Sequence, residues 1–414
     1  MKRFLLLIFL PLVASTAPWR FPVGDVWRLP LPIRQVRIPG PGGTAQSGGG
    51  GPTFSHYYAI TIGASGSTDL PNWPVCLNTT TGGCNVTTDI SASFKTVANG
   101  GYVQNTVTQT GGNGGTEPAD AVVTMTAPGG SSGEWTCPSA NYTPWETESY
   151  SPTTGSWQFH ALDPLYHHAG GDILYVCVGQ ATMTTQQNMG SYAPSAVWNN
   201  NYLAVLHLPT ISSALSSLDS TGNNSFTNNG ASAGSGELDG AAVLASGSDL
   251  HVTSPSSSLQ ATSDITLSAW IYPVVCTAEC EILTNWNGSS RKFLFEMNGS
   301  VIRFAIQSGG VGYFDTATIL SVNNWYYVVG TYNSATNALN VFINGSLDAN
   351  SGTGVGGLVS STDPVYIGNS GSNFFTGTID ESRISNTARS ADWITAEYNN
   401  QKASSAFLSV GSLH

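Results

Sequence analysis

Charge is scarce in this sequence, and positive charge scarcest: 13 Lys and Arg stand against 25 Asp and Glu in 414 residues, a formal net charge of −12. A phosphate-backbone partner requires Lys and Arg concentrated on one face, so the composition argues against a nucleic-acid partner. Charged residues are only 9% of the chain. Long helices usually carry Glu, Lys and Arg on their wet faces, so a helical architecture is disfavoured as well. Beyond the first residues no apolar run approaches the roughly 20 that span a bilayer, and no membrane anchor is expected. No Cys-x-x-Cys pair occurs and His167-His168 has no cysteine close in sequence, which leaves a zinc site as the weaker reading of the cysteines. Phosphate-loop and zinc motifs are missing too.

What fills the chain is Gly, at 47 residues, with Ser, Thr and Asn at most polar positions, a composition of turns and strands. The length suits two or three domains rather than one core. Lys2 and Arg3, the apolar run Phe4 to Val13 and the small residues Ala14-Ser15-Thr16-Ala17 form the three parts of an export signal. Secretion, to the extracellular space or the cell surface, is the expected localisation. Cys76, Cys84, Cys137, Cys177, Cys276 and Cys280 are an even set, consistent with disulfides in an oxidising compartment. Six cysteines allow 15 connectivities. Pairing Cys76 with Cys84 and Cys276 with Cys280 as local staples would leave Cys137 with Cys177.

Residues 18–53 are rich in Pro and Gly and end in Gly48 to Gly51, which reads as a flexible tether. Its more apolar and basic part, Val26 to Ile38, reads as a sticky piece of the same linker. Short alternating segments follow: Tyr57 to Ile62, Ala121 to Thr126, Ser156 to His160 and Asp172 to Val178. Alternation is clearer later, in Ile265 to Tyr272, Phe293 to Met297, Val301 to Ile306 and Trp325 to Tyr332. Leu339 to Ile343 runs into Asn344-Gly345, a strong hairpin signal. Ser390 can cap one short helix, with Asp392 in its first turn, Ile394 and Tyr398 stacked one turn apart, and Asn399-Asn400 as its stop. The expected fold class is all-β: two β-sandwich (jelly-roll) domains in tandem, residues 54–203 and 204–414, after a signal peptide (1–17) and linker (18–53).

Four stretches of the second domain, Gly236 to Val243, Ile265 to Ile271, Asn324 to Tyr332 and Phe375 to Ile384, resemble in order and spacing the LamG-like family of the concanavalin A-like lectin/glucanase superfamily. The run Ile384 to Ile394, ending in Glu397 to Gln401, looks like the bacterial form of its closing segment. Residues 54–203 resemble a bacterial domain of unknown function that often precedes a LamG-like domain in secreted proteins. Tyr57 to Ile62, Glu146 to Tyr150, Asp172 to Tyr192 and the junction Val197 to Leu208 carry that likeness. Gly111 to Pro144 departs from it, lacking an aspartate-rich stretch, and the cysteines are untypical.

The superfamily includes glucanases with two glutamates and an aspartate at alternating positions of one strand, and retaining hydrolysis requires two carboxyls about 5 Å apart. No Glu-x-Asp-x-x-Glu run occurs here, and neighbours such as Asp380 and Glu381 should point to opposite faces of a strand. Glu146 and Glu148 would share a face, and a solvated or loop-capping role is expected of them. Tyr166-His167-His168 reads as a loop. The chain is therefore expected to bind rather than catalyse, so that no catalytic residues are assigned. Trp270 and Trp325 occupy family core positions, whereas Trp286, with Asn285 and Asn287 beside it, could stack on a sugar ring; Tyr313 and Phe374 are weaker candidates for ligand binding. The resemblance further allows a structural Ca²⁺, with Asp219 and Asp380 as metal ligands and otherwise no cofactor; the alternative is that Asp219 shapes an Asx turn and Asp380 satisfies nearby backbone donors. The partner expected is a glycan or other extracellular surface polymer in a lectin-like, adhesive role. The rivals are self-association into an envelope, appendage or phage-like particle and, ranked last, a polysaccharide-degrading enzyme.

Overall fold

Alternating apolar residues at the start of the described residues set the first strands in the computed structural model. That structure describes residues 52–414 apart from 81–82, 85, 114, 256–258, 260–262, 287–290, 355, 370 and 404–405. The expected signal peptide, nearly all of the linker, and Asn287 lie outside the described residues.

In the first half the principal strands are β1 (His56–Ile62), β2 (Leu70–Asn78), β3 (Val122–Thr124), β4 (Trp145–Tyr150), β5 (Trp157–Tyr166) and β6 (Ile173–Val178). They form two antiparallel sheets, β2-β5-β4 and β1-β6-β3. Ile60, Leu174 and Val176 from one sheet and Trp73, Val75, Trp157 and Phe159 from the other share one core. Strand alternation sends Gln158 and His160 of β5 to the opposite face, and both are buried there as well.

The second half holds β7 (Tyr202–Leu206), β8 (Thr227–Asn229), β9 (Ser232–Ser235), β10 (Gly240–Leu244), β11 (Asp249–Val252), β12 (Ile265–Val275), β13 (Glu279–Thr284), β14 (Phe293–Asn298), β15 (Val301–Gln307), β16 (Val311–Asp315), β17 (Tyr326–Asn333), β18 (Ala338–Ile343), β19 (Ser346–Leu347), β20 (Val365–Ile367) and β21 (Thr376–Ser385). One sheet runs β8-β11-β20-β13-β14-β15-β16; the other runs β9-β10-β21-β12-β17-β18-β19, and β7 continues along the β21 edge past β10. Leu267, Ala269 and Ile271 of the second sheet meet Ile282, Phe295, Phe304 and Ile306 of the first in the sandwich core. Asn344 and Gly345, at φ 51° and 76°, make the tight turn from β18 to β19, as the sequence suggested.

The sheet containing β12 is covered on both sides, which is why residues 265–271 are all buried. On the side away from the sandwich core, Trp270, Tyr327 and Phe342 pack with Ile394 and the Cys76–Cys84 loop. Ile394 belongs to α1 (Ala391–Gln401), whose first turn is capped by Ser390 Oγ accepting from Trp393 N–H. The helix does not stop at Asn399-Asn400. Asn400 is buried and bonds the Cys76 backbone through both its oxygen and its amide, so tertiary hydrogen bonds carry the helix through a weak helix former. The last strand, β22 (Leu408–Val410), pairs with β1 in the first half. The disulfides are Cys76–Cys84, Cys137–Cys177 and Cys276–Cys280. No helix among the described residues is long and apolar enough to cross a membrane.

Candidate functional site

The outward face of the seven-stranded sheet is built by alternation. In β16 the inward Phe314 is buried, while Val311 and Tyr313 turn out, Tyr313 with 62% of its surface exposed. Beside it Arg303 of β15 holds its guanidinium 5.8 Å from the Tyr313 ring centre. Arg303 grips Asp315 in a two-pronged pair, Nε to Oδ1 at 2.8 Å and Nη2 to Oδ2 at 3.1 Å. Its Nη1 lies 3.4 Å from Glu279 and 3.5 Å from Glu296. Glu281 and Glu296 stand opposite each other in the β13–β14 register. Burial, reinforced by the charge of Glu279, pushes the Glu296 carboxyl up to about 7. This face thus combines an exposed ring with carboxylates and a guanidinium, the groups that grip the apolar side and the hydroxyls of a sugar.

The other expected ligand residues lie elsewhere. Trp286 is half-buried just past the end of β13, with Arg291 5.8 Å from its ring centre. Asn285 is buried and spends its amide on the carbonyls of Asp363 and Pro364. Phe374 is half-buried, next to Asn373, whose side-chain amide donates to Glu279. Tyr313 is the candidate that stands out from a regular strand.

The two aspartates expected to hold calcium are both buried. Asp219 accepts from the backbone of Val205, Thr221 and Asn224 and from the Thr221 and Asn224 side chains, so its oxygens face hydrogen-bond donors rather than an open shell. That arrangement organises the turn after β7. Asp380 Oδ2 accepts from the Glu237 and Leu238 backbone.

A second concentration of polar groups lies where the β2-β5-β4 sheet meets the outer face of the β12 sheet. Glu146 and Glu148 share a face, as alternation requires, but they are buried to 0% and 1% exposure rather than solvated. Asp380 and Glu381 do not simply point to opposite faces either. The register against β12 slips by one residue here, and Glu381 adopts φ 51°, so a β-bulge buries both side chains in the same interior. Glu381 bonds His207 Nδ1 at 2.6 Å through one oxygen and Arg383 through the other. Arg383 also bonds Glu397, whose other oxygen accepts from the Tyr327 hydroxyl at 2.6 Å. Trp198 Nε1 and the Ser220 hydroxyl donate to Glu146, each at 2.6 Å.

Burial opposes charge on His207, yet the Glu381 and Glu146 carboxylates push it up to about 10. Burial likewise opposes charge on Glu381, but His207 and Arg383 hold its carboxyl well below the usual range. Burial, then the charges of Asp239 and Glu381, raise Glu148 well above it. Burial and the charge of His207 push His160 well below the ordinary imidazole range. Sequence reading missed His160 and His207 because each sits among strand residues. The available signal was the polar run of β4, where two glutamates alternate beside Trp145.

His167 and His168 lie just past the end of β5: His167 is exposed, His168 half-buried, and each pairs with its own aspartate, Asp172 and Asp69, at 2.7 Å.

No curated protein sequence matches the chain. Among solved structures, the binding domain of Paraclostridial Mosquitocidal Protein 1 is 18% identical with a TM-score of 0.40, covering 48% of this chain and 52% of that one. The receptor-binding domain of the botulinum neurotoxin C/D mosaic serotype is 18% identical with a TM-score of 0.38, covering 49% and 51%. This chain therefore spans about half the length of each. Domain 4 of AbnA, a GH43 extracellular arabinanase from Geobacillus stearothermophilus, in complex with arabinotriose, is 20% identical with a TM-score of 0.38, covering 48% and 98%. Residues 246–395 match the Laminin_G_3 family, described as Concanavalin A-like lectin/glucanases superfamily, and the two facing sheets have the sandwich form that this match implies.

Proposed function

We propose that the chain is a secreted binding protein that holds a carbohydrate or similar hydroxyl-rich surface polymer on the outward face of its seven-stranded sheet, without catalysis of its own. The observation that supports this reading most strongly is Tyr313, a large aromatic ring left 62% exposed on a regular strand and flanked by the Arg303–Asp315 pair. A ring in that setting offers a stacking platform, and the half-exposed Glu279 beside it offers acceptors for hydroxyl groups. The three disulfides suit an oxidising compartment, in keeping with export.

Pull-down on a panel of insoluble polysaccharides, together with a glycan array, tests the reading. Retention of the wild-type chain that is lost on Tyr313→Ala, and weakened on Trp286→Ala if the lip past β13 extends the surface, is the expected result. A folded chain retained by no polysaccharide would overturn it.

A further inference from the structure

We propose that Glu148, His160, His207 and Glu381 form a closed metal site, of the kind that takes Zn²⁺, which ties the first half of the chain to the sandwich. All four side chains are essentially without solvent exposure, and one nitrogen or oxygen from each lies within 4.8 Å of those of the other three. The Glu148 Oε2 atom is 3.6 Å from His160 Nδ1 and 3.8 Å from His207 Nδ1, and His207 Nδ1 is 2.6 Å from Glu381 Oε1. Tetrahedral zinc with bonds of about 2.0–2.1 Å places its ligand atoms about 3.3 Å apart, a spacing these distances bracket.

One further observation points to a cation. His160 Nδ1 is fully buried without any hydrogen-bond partner, an expensive state that a metal at this point would relieve.

The surroundings are those of a supported site. Glu146 Oε2 lies 3.5 Å from His207 Nε2, too long for a hydrogen bond but on the side of the ring away from the proposed ligand atom Nδ1. Gln158 donates to Glu148 at 2.8 Å and Arg383 fixes Glu381. On metal binding His160 carries its proton on Nε2, so the 3.4 Å contact from Arg383 lengthens while Glu381 and Glu397 keep that guanidinium. Four protein ligands with no solvent access leave no open position, so the ion is structural. The ligands come from β4, β5, the residue after β7 and the bulge of β21, so the ion spans both halves.

The test uses the full mature chain purified from zinc-supplemented culture. Elemental analysis is expected to find one zinc per chain. Stripping with a chelator should lower the melting temperature, and zinc should restore it. Cobalt titrated into the stripped chain should give the visible absorption of a tetrahedral nitrogen- and oxygen-ligated ion, with no thiolate band, since the six cysteines are in disulfides. The paired substitution His160→Gln and Glu148→Gln should abolish the cobalt spectrum, whereas Glu296→Gln should leave it intact. If the substituted chain does not fold, the zinc content and cobalt spectrum of the wild type decide. A cooperatively melting wild type with substoichiometric zinc and no zinc-dependent melting shift overturns the proposal. So does a cobalt spectrum unchanged by the paired substitution.

Discussion

His207 Nδ1 and Glu381 Oε1 lie 2.6 Å apart, joining the residue after β7 to the bulge of β21 in an interior without solvent. The contact lies where the β2-β5-β4 sheet meets the β12 sheet, and Arg383 extends it to Glu397 of α1. Removing one partner of such a buried network leaves the other charges uncompensated, which costs more than the network's net contribution.

Arg383→Met should therefore destabilise the fold by about 3–5 kcal/mol, since it strips Glu381 and Glu397 of their shared cation. Denaturant melts are the measurement. A change within that of an exposed substitution such as Arg291→Met would contradict the account.

The half of the chain before β7 should be less stable at alkaline pH. Burial pushes Glu117 up to about 8 and Asp163 up to about 7, so each folded carboxyl keeps a proton that the unfolded chain releases near 4.5 or 3.8. The stability from those protons is complete below about pH 4 and is lost as pH rises through the folded values. The denaturation midpoint should fall from pH 5 to pH 8, and Glu117→Gln should flatten that slope. A midpoint rising over this interval would refute the assignment.

Gly112 sits at φ 52°, and a Cβ there would strike Glu146 Oε1. Gly112→Ala should lose roughly 1–2 kcal/mol to the left-handed backbone alone and more to the displaced carboxylate. Measured stability equal to wild type would show that the loop moves freely.

Loop length should rank the disulfides. Cys137–Cys177 closes 40 residues and Cys276–Cys280 only 4. On chain entropy, replacing the first pair by alanine should cost about 4 kcal/mol and the second about 2. Thermal melts of the two double variants compare them, and equal losses would point to strain or residual denatured-state structure instead.

The sandwich was legible because its strands obey one rule: every second residue of β14 and β15 is apolar and faces the core. The Asn344-Gly345 turn and the Cys76–Cys84 and Cys276–Cys280 pairs were equally local features, and Cys137–Cys177 followed as the remaining pair. Long-range effects hid the rest. Glu146 and Glu148 look like ordinary wet glutamates until β21 and His207 cover them, and a one-residue bulge at Glu381 defeats strict alternation. The helix runs past Asn399-Asn400 because Cys76, more than 300 residues earlier, supplies hydrogen bonds to Asn400. Exposure was no easier to read: only the structure shows that Tyr313 stands free while Asn285 is occupied.

The central claim is that the outward sheet face binds hydroxyl-rich polymer through Tyr313. Once a retained polysaccharide is identified, affinity measured for soluble fragments of it, wild type against Tyr313→Ala, tests this most directly. An exposed aromatic anchor should be worth at least about 1.4 kcal/mol, so the account predicts a loss of tenfold or more with the melting temperature unchanged. Equal affinity of the two proteins would contradict it.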